Sequence, residues 1–218
     1  MSRETEGQRG LMGNQQTSRR SYDRLERALR GILGTGEITK KLSQVLTYAA
    51  VEGRTSYQKI KEIIKDDPED VLLLAEKWRL LLAVRTTKSS AWEDRLLLLK
   101  DGEIYEIPNL IRYLVKHALD TGRWDPKNTI IELFNEFGDP DWEQIPGFVG
   151  SIVEKATDYK INSNQIKKIC LQFGLNNRVD ALIAELKAAG IISPKLGSIP
   201  DVLGATSPIY ELNPSVII

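Results

Sequence analysis

The sequence predicts a mainly α protein with short β-hairpins, an α+β class in which two small units are joined by a pair of helices. Two observations carry this. Apolar residues recur at helical spacing in segment after segment, each closed by a glycine or proline signal. Near residues 81–99 and again near 191–213, the helical pattern gives way to paired β-prone runs. The chain has 218 residues, enough for two units that each bury a core.

Residues 1–20 are rich in Gln, Arg, Ser and Gly and read as a disordered tail, with four arginines as its only polyanion attraction. From Ser21, the expected cap, Tyr22, Leu25, Leu29, Ile32 and Leu33 mark a first helix that stops at Gly34-Thr35-Gly36. A second helix carries Leu42, Val45, Leu46, Ala49 and Ala50, with Thr39 as its expected cap and Gly53 as its end. A third uses Tyr57, Ile60, Ile63 and Ile64 and breaks before Pro68, because the residue preceding proline avoids the α region. A fourth opens with Pro68, Glu69 and Asp70 and is apolar on nearly every side through Val71, Leu72, Leu73, Leu74, Ala75 and Trp78, which predicts burial. The runs LLAVRTT and DRLLLL, joined by KSSAWE, read as a hairpin. The first unit, with its leading helix, is therefore expected over residues 21–104.

Two helices follow over 105–140. One is apolar at Leu110, Ile111, Leu114, Val115 and Ala118 and ends at Gly122. The other has Asp125 as cap, Pro126 in its first turn, and Ile130, Leu133, Phe134 and Phe137 on one face. Their stripes make this pair a linker and a candidate homodimer surface. The turn-rich DPDWEQIPG marks the boundary to a second unit over 141–218. There, a helix carries Phe148, Ile152, Val153 and Ala156, and a short one, capped by Asn162 or Ser163, carries Ile166, Ile169, Cys170 and Phe173. A third carries Val179, Leu182, Ile183 and Leu186 and closes at Gly190. IISPKL and PIYELN are the strands, with GSIPDVLGATS as a long wing between them.

The residues FGLNN, LIAELKAAGIIS and SPIYELN, over roughly 145–214, carry a resemblance to the winged helix-turn-helix superfamily: a glycine turn, a third helix running into a strand, and a returning strand. The order of elements in residues 39–100 is similar, so the resemblance implies two winged-helix domains. It also implies that the third helix and wing are the places to look for double-stranded DNA contacts. On this chain these are Asn176, Asn177 and Arg178, followed by Ala181, Ala184 and Glu185. Lys167, Lys168 and Lys195 would meet phosphates. In the first unit, Arg85, Lys88 and Arg95 flank the hairpin as further phosphate candidates.

The alternative is a protein-interaction module docking through Trp92 and Leu73, since tryptophan and arginine are typical hot-spot residues; packing of Trp92 under its own loop is the other reading of that residue. Charge leaves both open. The chain is neutral overall, but residues 1–66 carry 13 basic against 8 acidic side chains, and 101–160 carry 6 against 12. Asp180, Glu185 and a second wing without a basic residue weigh against DNA.

No catalytic, cofactor or metal set emerges. GILGTGEITKK has Glu37 where a phosphate loop needs lysine, and Asp139, Asp141 and Glu143 lack the rest of a calcium loop. His117 stands alone, and Cys170 lies on an apolar stripe as a small hydrophobe. With one cysteine, no secretory signal and no apolar run of about 20 residues, the expectation is a cytoplasmic, non-enzymatic regulator or chromosome-associated protein with no membrane span.

Overall fold

The computed structural model describes residues 21–84, 91–195 and 207–216. Arg85, Lys88, the N-terminal segment 1–20 and most of the second wing lie outside the described residues. What is described is mostly helical, with two small antiparallel sheets.

A leading helix, α1 (residues 21–33), is followed by α2 (Glu37–Glu52), strand β1 (Arg54–Ser56), α3 (Tyr57–Ile64), α4 (Pro68–Lys77), β2 (Leu82–Ala83) and β3 (Ile104–Glu106). Two helices, α5 (Asn109–Thr121) and α6 (Pro126–Glu136), lead to the second half. There the same succession returns: α7 (Ile145–Lys155), β4 (Lys160–Asn162), α8 (Ser163–Gln172), α9 (Val179–Ala189), β5 (Ile192–Pro194) and β6 (Ile209–Leu212). Each half thus runs helix, strand, helix, helix, strand, strand. In each sheet the last strand lies in the middle, in the orders β1-β3-β2 and β4-β6-β5.

The returning strand of the first half differs from the expected one. Leu82 and Ala83 pair with Glu106 and Tyr105, not with the leucine run 96–99, and β1 pairs on the other side of β3. The reason is the pleat: Ile104 is exposed, Tyr105 fully buried and Glu106 partly covered, the alternation a half-buried strand needs. Four consecutive leucines lack it, and Leu96 is exposed. The first half therefore runs through Glu106, past the expected end at 104. Strands β1 and β4 were not foreseen at all.

Local caps follow the chemistry with two corrections. Asp125 accepts from the Asn128 N–H at 3.1 Å, and Asn162, not Ser163, caps α8 in a capping box with Gln165. Thr39, however, sits inside α2, its hydroxyl donating to the Gly34 carbonyl at 3.0 Å, and Gly36 precedes the helix without a side-chain cap. Phe137 lies at the end of α6, exposed and tilted against Phe134 rather than on the buried face.

One apolar cluster reaches from Leu25 to Val216 and includes residues of both halves. Leu110, Ile111, Leu114, Val115 and Ala118 of α5, and Ile130, Leu133 and Phe134 of α6, are covered by the chain's own helices. The stripes expected to pair two copies are thus buried within one. Helix α4 also departs from expectation. Val71, Leu72 and Ala75 are buried, but Leu73 is half exposed, so the helix has an outward side.

The candidate macromolecule-binding surface

The turn into α9 is a short 3-10 segment, Asn176–Arg178, that positions three predicted contact residues very differently. Asn176 and Asn177 are exposed, and the Asn176 amide donates to the Asn177 side-chain carbonyl at 3.1 Å. Arg178 turns inward. Its guanidinium donates to both carboxylate oxygens of Asp139, at 3.0 and 2.8 Å, to Asp141, and to Glu185 at 3.2 Å. Three carboxylates surround one cation, so this arginine holds the 139–144 joint against α9, and its donors are not turned toward a ligand.

The cluster perturbs its members. Burial pushes the Asp139 carboxyl up, but the hydrogen bonds from Arg178 and the Asp141 backbone outweigh it and hold the group below its ordinary value. Glu185 is pushed above the ordinary glutamate range, first by burial and then by its hydrogen bond with Asp139. The Arg178 guanidinium is held more firmly protonated, chiefly by Asp139.

Lys167 and Lys168 are exposed on α8, as a phosphate-contact role requires. Lys195 is partly covered and paired with Glu93, and Arg95 is paired with Glu106. Ala181 and Ala184 face outward on α9 together with Asp180. In the first half, the outward side of α4 opens with Glu69 and Asp70, and Glu69 accepts a hydrogen bond from the Tyr57 hydroxyl. That bond, followed by burial, pushes the Tyr57 hydroxyl up to about 12.

Of the two readings of Trp92, the structure shows packing within the chain and not an outward docking residue. Trp92 is 5% exposed, lies under the Arg79 guanidinium at 5.6 Å, and its backbone N–H donates to Ser193 Oγ at 2.9 Å. The partner it anchors is the second half of its own chain. Leu73 alone of the two predicted partner-docking residues faces outward.

Sequence reasoning missed the Asp139–Arg178 tie and the seam between the halves. Across that seam Glu211 meets Arg79 at 3.0 Å, and Ser215 donates to the Trp78 carbonyl at 2.6 Å. Asn213 donates to the carbonyls of Gly190 at 3.1 Å and Arg79 at 3.3 Å. Nothing local signals such contacts, since the partners lie far apart in the chain.

Among the described residues no group of three or more His, Cys, Asp or Glu is arranged to hold a metal ion. His117 is partly covered, and Cys170 is a buried free thiol whose ionisation burial pushes up. No helix among the described residues is long and apolar enough to cross a membrane. No curated protein and no solved structure matches the chain. A protein-family model matches residues 23–218, spanning both halves, and the chain belongs to that family.

Proposed function

We propose that this chain is a non-catalytic tandem winged-helix protein that works as a docking module for a protein partner. The repeated element order and the shared strand order of the two sheets support the winged-helix reading. The observation that carries the choice of partner is the outward face of the two third helices, α4 and α9. Glu69 and Asp70 head α4, and Asp180 lies in the first turn of α9, where a DNA reader needs neutral or cationic donors. Arg178 is engaged by three carboxylates. Half-exposed Leu73 supplies an apolar centre for a protein contact within this polar rim.

Anisotropy of a labelled random-sequence duplex, titrated with the full chain from low to physiological salt, tests this choice. The expected result is no salt-linked binding. Affinity falling linearly in log salt would overturn it in favour of DNA. The positive test compares wild type with Leu73→Asp as bait. A partner held by the first and lost by the second supports the reading, and equal capture removes α4 from it.

DNA binding stands as a second reading because Lys167, Lys168, Asn176 and Asn177 are all exposed around α8 and the turn into α9. On that reading the double substitution Lys167→Gln, Lys168→Gln lowers affinity for every duplex and reduces the salt slope by about 2.

A further inference from the structure

The two halves leave a cavity of about 290 Å³ where they meet, lined from one side by Trp92, Arg95 and Pro108 and from the other by Lys187, Gly190 and Ile192. Junctions between units are where small-ligand sites concentrate. The polar groups here are unevenly satisfied. Arg95 donates through Nη1 to Glu106, while its Nε is buried without a hydrogen-bond partner among the described residues. Nη2 has no partner among them either. The Nε–Nη2 edge of a guanidinium is the fork that grips a carboxylate or phosphate through two parallel hydrogen bonds. Of this edge, Nη2 is the donor an occupant can reach, since Nε has no exposed surface.

The side chain of Lys187, in the last turn of α9, has no ion-pair or hydrogen-bond partner among the described residues. The one carboxylate among the lining residues, Glu106, is already held by Arg95. The cavity thus carries a net positive charge with one occupied and two unoccupied cationic donor edges. Helix α5 also begins here, at Pro108 and Asn109, without a side-chain cap on its first N–H groups. That positive end adds to the same preference for an anion.

We propose that this cavity binds an oxyanion, carboxylate or phosphate, borne by a small molecule. Arg95 takes it through Nη2, and Lys187 meets it from the second half. Because its walls come from both halves, an occupant strengthens their union. This holds whichever macromolecule the outer helices meet.

The test is a titration of the full chain with inorganic phosphate and, separately, with acetate, each at ionic strength matched by sodium chloride. Calorimetry reads affinity, and the Trp92 indole N–H resonance, assigned with Trp92→Phe, reads location. The expected result is saturable binding of at least one anion with a selective shift at Trp92. Lys187→Gln and Arg95→Lys should each weaken binding about tenfold, the value of one charge-assisted hydrogen bond. Lys187 is exposed, so its variant keeps the fold if Arg95→Lys does not. A Trp92 resonance that neither anion moves, or affinities equal in wild type and Lys187→Gln, would overturn the proposal.

Discussion

Replacing Arg178 with alanine should destabilise the whole chain rather than trim a surface. The Asp139 side chain is 1% exposed and takes both guanidinium Nη atoms, with Asp141 and Glu185 as the remaining partners. Alanine leaves three carboxylates facing one another with no cation among them. Breaking a fully buried pair from one side costs about 3–5 kcal/mol. The Arg178 side chain is 23% exposed, so water relieves part of the loss, and about 2–3 kcal/mol remains. For a chain of this length that lowers Tm by about 5–10 °C. Urea denaturation followed by circular dichroism should show a lower midpoint with an unchanged slope. A loss below about 0.5 kcal/mol, the range of ordinary surface substitutions, would refute the reasoning and return Arg178 to the candidate DNA contacts.

Glu185→Gln, in the same cluster, should have the opposite sign near neutral pH. The folded chain holds the Glu185 proton more tightly than the unfolded chain does, so ionising this group lowers stability as pH rises from the ordinary glutamate range through the raised folded value. The variant's advantage over wild type should therefore shrink as the pH of the urea titration is lowered to about 4. Gly190→Ala places a Cβ 2.6 Å from Pro108 Cβ at a residue with φ of 77°, and should cost about 2–4 kcal/mol. Gly53→Ala, at the same φ with nothing within 4 Å, should cost only about 1 kcal/mol. Equal losses in chemical denaturation would mean that the seam does not press on Gly190. In an ultraviolet titration, Tyr57 should ionise near 12 and move toward the ordinary tyrosine value in Glu69→Gln. Since the folded state keeps that proton, wild-type stability should decline as pH climbs from about 10 toward 12.

What could be read from sequence was what is encoded within a dozen residues. The buried stripe of α5 ends where Gly122 closes the helix, and Asp125 with Pro126 starts α6, because spacing and capping are local properties. Strands β1 and β4 were illegible for a physical reason. Each is three residues long, and each is defined by the hydrogen bonds of a strand that returns much later. The leucine run at 96–99 was the longer apolar stretch, yet Ile104–Glu106 had the alternation that fits a half-buried pleat. The candidate site failed in the same way. Arg178 stands where a winged helix puts a base contact, but its fate was set by Asp139, 39 positions upstream. Trp92 has the composition of a hot spot, and the surface it packs on includes Ser193, 101 positions downstream.

The seam between the halves bears on how the chain can work. Interfaces between units of one chain are usually polar and permit relative motion. Here Asn213 and Ser215 are both fully buried, and their side chains reach across to backbone carbonyls. Asn213 donates to Arg79 and Gly190 and accepts from the Ser215 N–H at 3.0 Å, so one amide ties the end of α4, the end of α9 and the C-terminal turn. A partner contacting both third helices therefore meets a fixed spacing, with little ordering left to be done on binding. Asn213→Ala strips these bonds inside a buried seam and should cost about 2–3 kcal/mol. Denaturation should be followed by two signals, helical circular dichroism for the whole chain and fluorescence for the tryptophans, among them Trp92 and Trp124, which touch the seam. In wild type the two signals should coincide, as a single cooperative unit requires. In Asn213→Ala the midpoint should fall, and the tryptophan signal should lead if the halves part before they unfold. An unchanged midpoint with coincident curves would mean that the apolar cluster alone holds the halves together, and that the polar seam sets their orientation without contributing to their union.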